Sequence, residues 1–194
     1  MPAALPDEQP WSYSEALEGA RRGDRDAFAF LYEATYRRVF GYLLAYMGEP
    51  SVAEDLLQEV YMSGLAAIPR FRGHTEAEFL AWTLRIARAK AIDLLRHRYR
   101  HPEVLPGDLE GLQTADDPQE TVQRRDRVRR LAVALAGLTP DQRDVVISRM
   151  VMGFDLLETS QLVHKNVGSV KALQHRALSR LARLLTEQGE TGHA

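Results

Sequence analysis

Hydrophobic residues recur at intervals of three and four along most of the chain, which is the period of an amphipathic α-helix. The clearest pattern starts after Asp24, a residue type that favours helix N-caps, and stops at residues 48–50, which read Gly-Glu-Pro. Its apolar positions are Phe28, Leu31, Tyr32, Val39, Phe40, Leu43, Leu44 and Met47. This segment predicts a long helix with one broad apolar stripe.

Two further helices are predicted after this one, each opened by a capping box. Ser51 with Glu54 begins the first, which continues to Pro69, and Thr75 with Glu78 begins the second. The second helix turns one face inward, formed by Phe79, Leu80, Thr83, Leu84, Ala87, Ala91, Leu94 and Leu95. The first half of the chain therefore reads as a helical bundle.

The second half carries the same period. Residues 122–136 predict a helix with a basic face, and residues 139–142, Thr-Pro-Asp-Gln, are a strong start signal for a helix that ends near Gly153. No segment shows convincing strand alternation. The predicted fold class is all-α.

A helix-turn-helix pattern closes the chain. Asp155 with Glu158 opens a short helix to about Val163, a turn follows at residues 164–166, and a basic helix occupies residues 167–186. The predicted inward residues of that last helix are Val167, Val170, Ala177, Leu178, Leu181 and Leu184. Its opposite face presents Lys171, Ala172, His175, Arg176, Ser179 and Arg183.

Composition is that of an ordinary globular protein, with 45% hydrophobic and 27% charged residues among 194. The absence of cysteine excludes disulfides and thiolate metal sites and favours a cytoplasmic location. The longest apolar stretch, Leu131–Leu138, has eight residues. A bilayer span needs about 20. The first ten residues lack the basic and apolar regions of a signal peptide.

Charge is segregated although the net charge is only −2. Residues 81–100 hold six cations and one anion, residues 102–121 hold six anions, and residues 164–183 hold five cations. The acidic block has no helical period, which indicates a linker. The predicted organisation is a disordered N-terminus at 1–13, a helical domain at 14–100, an acidic linker at 101–121, a second helical domain at 122–186 and a tail at 187–194.

Both basic blocks carry features of nucleic-acid binding. The last helix fits a DNA major groove, where Lys171 and Arg176 suit guanine or phosphate and His175 suits a base edge. The helix over residues 79–99 combines Trp82 with cations, a combination that suits single-stranded DNA. Each has a plainer alternative: a solvated basic face for the last helix and core packing for Trp82. The acidic residues of the helix before Pro69 are either a solvated face or a docking site for a basic partner.

Enzymatic readings have little support. His97 and His101 have the i, i+4 spacing of metal ligands, but the residues around them are cationic. No glycine-rich phosphate loop or nucleophile triad is present. We expect no catalytic residue, no metal and no cofactor. Two non-enzymatic alternatives stay open at this point: a stand-alone helix-turn-helix regulator of transcription and a helical scaffold without a nucleic-acid role.

Motifs in the correct order resemble the extracytoplasmic-function class of bacterial sigma-70-type sigma factors. The segments concerned are AEDLLQEVY, FLAWTLRIARAKAIDLLRHR, LTPDQRDVV and VGSVKALQHRAL. The resemblance implies a sigma-2 domain, a sigma-4 domain and a promoter-specificity subunit of RNA polymerase. It implies as partners core polymerase, through its β′ clamp helices and β flap, promoter DNA, and an anti-sigma factor.

The resemblance also assigns residues. Contacts to core polymerase fall on Asp55, Gln58 and Glu59. Recognition and melting of the −10 element fall on Trp82, Arg85, Arg88, Lys90 and Arg96. Recognition of the −35 element falls on Lys165, Ser169, Lys171, Ala172, His175, Arg176 and Arg180. The acidic linker is hypothesised to screen both basic blocks until polymerase separates the domains.

Two departures from the family pattern bear on specificity. Ala89 stands where the family often has the asparagine associated with −10 recognition, which predicts an altered −10 preference. His164 stands where the turn glycine is usual, so we expect it to adopt the turn conformation without the freedom of glycine.

Overall fold

The computed structural model describes residues 11–100 and 130–191, and all regular structure in those ranges is helical. The first unit contains α1 (Tyr13–Arg21), α2 (Arg25–Met47), α3 (Pro50–Ala67), a 3₁₀ turn (Ile68–Arg70) and α4 (Glu76–Arg100). The second unit contains a helical segment at residues 130–136, α5 (Pro140–Val146), a π turn (Ile147–Val151), α6 (Leu156–Val163) and α7 (Val167–Thr191). The predicted linker at 101–121, and the first part of the helix predicted over 122–136, lie outside the described residues.

Most predicted helix starts are confirmed by side-chain caps. Asp24 Oδ1 accepts the backbone N–H groups of Asp26 and Ala27 at the start of α2. Capping boxes are present at Thr75–Glu78, Thr139–Gln142 and Asp155–Glu158. These short polar signals satisfy backbone donors that the helix leaves unpaired, and for that reason they are readable from sequence.

The capping box predicted at Ser51 and Glu54 is wrong. α3 begins two residues earlier, with Pro50 as its first residue and Glu49 as an N-cap without a side-chain cap bond. Proline suits the first helical position because its φ is already helical and no N–H is lost there. The Glu49 carboxylate instead binds Arg98 of α4 at 2.9 Å.

The N-terminal boundary of the first unit also needs correction, since disorder was predicted up to residue 13. Ser12 caps α1 with a capping box to Glu15, and Tyr13 is already helical. Trp11 packs against the buried cluster around α1, in which Leu17 is fully buried. Packing of the Trp11 and Tyr13 rings against this cluster stabilises the segment, so the first unit begins earlier than predicted.

Two details of the apolar stripes differ from prediction. Tyr32 in α2 is 37% exposed, although its ring contacts that of Tyr61 at 4.6 Å between centroids. Leu178 in α7 is 39% exposed, while Val170 and Ala177 are buried as predicted. α7 also continues to Thr191, beyond the predicted end at Thr186.

The two units pack directly against each other. A continuous hydrophobic cluster joins Tyr42 and Tyr46 of α2 to Val146 and Phe154 of the second unit. The units also approach closely at Gly48, where an added Cβ would lie 2.5 Å from the Ala132 Cβ. Gly48 also has a φ of 76°, so both its backbone and its lack of a side chain are required there.

Within residues 11–100 and 130–191, no helix has the length and apolar character needed to cross a membrane.

Candidate nucleic-acid and protein interfaces

The turn between α6 and α7 has the predicted left-handed conformation. His164 has φ 54° and ψ 46°. The N–H of Lys165 donates to the Ser160 carbonyl at 3.0 Å, and the N–H of Ser169 donates to Asn166 Oδ1 at 2.8 Å. A non-glycine residue is thus held in a conformation that costs roughly 1–2 kcal/mol, in a turn that fixes α7 relative to α6.

We call the residues predicted to meet duplex DNA the recognition face: Lys165, Ser169, Lys171, Ala172, His175, Arg176 and Arg180. The five on the body of α7 from Lys171 to Arg180 are all exposed. Ser169 and Lys165 are partly buried beside a depression that Asn166 and Leu173 also line. The opposite side of α7 packs on the second unit through Val170 and Ala177.

The second predicted DNA surface, the aromatic-basic face, consists of Trp82, Arg85, Arg88, Lys90 and Arg96 on α4. Its members differ in availability. Arg85 is exposed and has no ion pair among the described residues. Arg96 pairs with Asp93 on its own helix at 3.5 Å, a weak exposed contact. Arg88 and Lys90 are engaged by other helices.

Trp82 is half-buried in an aromatic cluster. Its ring lies 4.9 Å from that of Phe71 and 5.7 Å from that of Phe79, measured between centroids. It also closes over Gly64 of α3. This packing agrees with the plainer alternative for Trp82, and its contact to DNA stays a prediction. Ala89, where the family often has asparagine, is exposed on α4.

The predicted protein-binding residues Asp55, Gln58 and Glu59 are exposed on α3, and we call them the acidic face. Asp55 and Glu59 line a groove between α3 and α4. The exposed side chains of Met62 and Leu65, 68% and 44% accessible, continue the same side of α3. Carboxylates followed by apolar residues on one helix face suit a partner helix with matching cations.

A buried charge cluster between the units was not predicted. Asp144 of α5 is fully buried. Its Oδ2 accepts Arg88 Nε at 2.6 Å, and its Oδ1 accepts the Tyr42 hydroxyl at 3.0 Å. Burial raises the pKa of the Asp144 carboxyl above its ordinary value, and the Arg88 charge opposes that shift. Burial, reinforced by Asp144, raises the pKa of Tyr42 well above that of a free tyrosine.

Arg143, the neighbour of Asp144, ties together the ends of two helices. Its guanidinium donates to the carbonyls of Leu135 and Ala136 at 2.9 Å and to that of Tyr46 at 3.3 Å. It also lies 5.0 Å from the centre of the Tyr46 ring. Burial lowers the pKa of Arg143 from its usual value. Because the last carbonyls of a helix have no intrahelical partner, a cation is well placed there.

One sequence signal pointed to this cluster. Arg143 and Asp144 directly precede the apolar residues 145–147, and both charged side chains are buried with them. A charged pair at inward positions of an amphipathic helix requires buried partners. The identity of those partners, Arg88 and Tyr42, is set by packing between residues 56 and 102 positions apart.

Among the described residues, no three or more His, Cys, Asp or Glu side chains lie close enough together to hold a metal ion.

Each of the two units matches a known protein family. Residues 31–101 match the family described as Sigma-70 region 2, and residues 129–181 match the one described as Sigma-70, region 4. The two matches follow one another in the order of the two helical units. They contain the acidic face, the aromatic-basic face and the recognition face.

Whole proteins of this kind align along most of the chain. ShbA of Streptomyces griseus, an ECF RNA polymerase sigma factor, is 34% identical over 89% of this chain and 92% of its own length. BldN of Streptomyces coelicolor, another ECF RNA polymerase sigma factor, is 32% identical over 89% of this chain and 66% of its own length. The solved structure of CnrH in complex with the cytosolic domain of CnrY shares the fold, with a TM-score of 0.65 at 21% identity over 90% of this chain and 97% of that one.

Proposed function

The chain belongs to the extracytoplasmic-function sigma factors of the sigma-70 family, and from this premise we propose which of its helix faces contact polymerase and promoter. A sigma factor binds core RNA polymerase and directs transcription initiation by recognising the −35 and −10 promoter elements. The observation that carries the proposal is that three exposed faces with suitable chemistry fall within the two matched regions.

In this proposal the acidic face binds the β′ clamp helices of core polymerase. Asp55 and Glu59 lie one turn apart on α3, and both are exposed, so they present two carboxylates on the same side of the helix. Gln58 supplies an amide between them. Charges arranged in this way steer a cationic partner helix and fix its register.

The aromatic-basic face is proposed to recognise and melt the −10 element. Arg85 is exposed for backbone contact, and the half-buried Trp82 supplies an aromatic ring for base stacking at the upstream boundary of the melted strand. Arg88, Lys90 and Arg96 would complete the face once their present carboxylate partners release them.

The recognition face is proposed to read the −35 element in the major groove. Lys171, His175 and Arg176 are exposed on consecutive turns of α7, at spacings that keep them on one side of the helix. Lys165, Ser169 and Arg180 are placed at either end for phosphate contacts. Ala172 is small enough to let the helix approach the bases.

The proposal also covers the location, the domain boundaries and the regulation of the chain. The chain acts in the cytoplasm, without catalytic activity of its own, with sigma-2 and sigma-4 domains at 14–100 and 122–186 joined by the acidic linker. An anti-sigma factor that covers one or both domains is the proposed regulator. Co-purification from the native cytoplasm, with the chain itself as bait, tests for such a partner.

The central test is run-off transcription with purified core polymerase over a library of genomic fragments. We expect defined transcripts that appear only when the chain is added and whose upstream sequences share two elements. Asp55→Asn with Glu59→Gln should reduce both the transcripts and co-elution with core polymerase. Glu33→Gln, an exposed change on α2, is the matched control. DNA binding without any dependence on core polymerase would favour the stand-alone regulator instead.

A further inference from the structure

We propose that Asp141 and Asp144 form an autoinhibitory latch, which occupies cations of both DNA-binding faces and holds the chain closed, unable to bind both promoter elements. The inference rests on the proposed function, because it concerns when those two faces become available. The two carboxylates belong to the first turns of α5, which lies between α4 of the first unit and the turn before α7.

Asp141 bridges the two DNA-binding faces directly. Its Oδ1 lies 3.3 Å from Nη2 of Arg88, a member of the aromatic-basic face. Its Oδ2 lies 2.9 Å from Nζ of Lys165, a member of the recognition face. One carboxylate therefore holds a cation of each face, and the side chain is only 40% exposed.

This contact is incompatible with a bound promoter. By their positions the two elements are about 25 base pairs apart, or roughly 85 Å of B-form DNA at 3.4 Å per base pair. Arg88 and Lys165 share a carboxylate and cannot reach sites so far apart. The two units must separate before the chain binds both elements.

Chain length allows this separation. The units are joined by residues 101–129, a stretch of 29 residues. Fully extended, such a stretch spans at most about 100 Å at 3.3–3.6 Å per residue. The described helices can therefore stay folded while the two units reach both elements.

Asp144 makes the latch selective for Arg88. The guanidinium that donates to Asp144 Oδ2 at 2.6 Å is the group that would bind a DNA phosphate, and it cannot serve both partners at once. The Tyr42 hydroxyl holds the other Asp144 oxygen. The Asp144 carboxylate is fully buried in the closed form and becomes hydrated when the units separate. This gain in hydration offsets part of the ion-pair energy, so the closed form can open.

Each unit has a buried cluster of its own besides the hydrophobic cluster that the two units share. The first unit retains the cluster around Leu17, Leu31 and Phe79, and the second retains Val145, Val163 and Val170. Substitutions in the latch therefore act on the closed–open equilibrium rather than on the existence of the units.

The test uses the full chain, which has no native cysteine to interfere with labelling. Ser14→Cys and Gln161→Cys, at exposed positions on α1 and α6, carry a donor and an acceptor dye. Asp141→Asn, Asp144→Asn and Tyr42→Phe are compared with Glu18→Gln, an exposed change remote from the latch. Tyr42→Phe weakens the latch without altering any charge. The DNA probe is a labelled mixed-sequence duplex of about 40 base pairs at low salt.

We expect the three latch variants to lower energy transfer in the free chain, and Asp141→Asn to bind the duplex about tenfold more tightly than Glu18→Gln, equivalent to about 1.4 kcal/mol. Energy transfer equal to that of the control in both Asp141→Asn and Tyr42→Phe would overturn the latch. The proposal would also be overturned if a variant showed lower energy transfer but bound the duplex with the same affinity as the control. If Asp144→Asn loses its helical circular dichroism, the other two variants decide. Neither readout needs polymerase, so failure of run-off transcription is a separate result.

Discussion

The ammonium of Lys90 on α4 lies 2.9 Å from the Glu59 carboxylate on α3. A cation proposed to meet the −10 element and an anion proposed to meet polymerase thus bind each other across the groove between the two helices. The contact links the availability of the aromatic-basic face to that of the acidic face. A partner that takes Glu59 releases Lys90 for DNA.

Glu59→Gln should therefore weaken the binding of core polymerase by about two- to fivefold, the range of a single exposed charge contact. Fluorescence titration with core polymerase measures this. Glu33→Gln on α2 carries the same chemical change at a remote exposed site and should leave the affinity unchanged. Equal affinities for the two variants would remove Glu59 from the interface.

Arg143→Met should lower the free energy of unfolding by about 3 kcal/mol, since two buried carbonyls and one partly buried carbonyl lose a charged donor. Urea unfolding followed by circular dichroism gives the value. Arg37→Met, an exposed change on α2, should cost less than about 0.5 kcal/mol. A similar small loss for Arg143→Met would show that those carbonyls are satisfied in another way.

His164→Gly should stabilise the protein by about 0.5–1 kcal/mol, because glycine occupies the left-handed region without steric cost. His164→Val should destabilise it by at least about 1 kcal/mol, since a β-branched side chain fits that region worst. Thermal unfolding of the full chain ranks the three proteins. The reverse order would mean that the imidazole makes a stabilising contact that outweighs the strain.

Lys171→Met should reduce the slope of log affinity against log salt for promoter binding by the holoenzyme by about one unit, as expected when one phosphate contact is lost. Arg22→Met on α1, paired only with Glu18 at 3.9 Å, is the matched control and should keep the slope. Identical slopes for the two variants would assign Lys171 to base contacts or to none.

Alkaline pH should destabilise the fold through Tyr61. Burial raises the pKa of Tyr61 to about 12, and its hydroxyl donates to Thr35, whose own hydrogen goes to the Leu31 carbonyl. The stabilising contribution is complete below the pKa of an unfolded tyrosine, about 10. It is lost as the pH rises from there through 12. Urea unfolding at pH 9 and pH 11 measures the loss, which should be smaller in Tyr61→Phe; an equal loss would contradict the assignment.

Local signals in the sequence proved the most reliable. Asp24, Thr75 and Asp155 mark helix starts because a cap needs only its own neighbours. The turn conformation of His164 was expected from the family pattern, in which glycine is usual at that position. The prediction for Ser51 was wrong because Pro50 suits the first helical position, and the helix begins two residues earlier. The sequence alone offered no rule to choose between two competing starts.

Contacts between the units were beyond sequence reasoning. Arg88 was predicted as a DNA contact from its charge, and nothing in the pattern showed that Asp144, 56 residues later, would hold it. The hypothesis that linker anions screen the basic blocks falls on residues outside the described ranges. In the described part, the anions opposite Arg88 and Lys165 come from α5.

The tyrosines between the two units give the protein an optical reporter of its own. Tyr42 and Tyr46, with ring centroids 5.7 Å apart, are buried at the contact, whereas Trp11 and Trp82 belong to the cluster around α1 on the far side of the first unit. Parting of the units transfers the two phenols from a dry environment to water and leaves the indoles where they are. The near-ultraviolet difference spectrum of the unlabelled, DNA-free chain therefore changes in its tyrosine bands, so opening caused by Asp141→Asn can be followed without any dye.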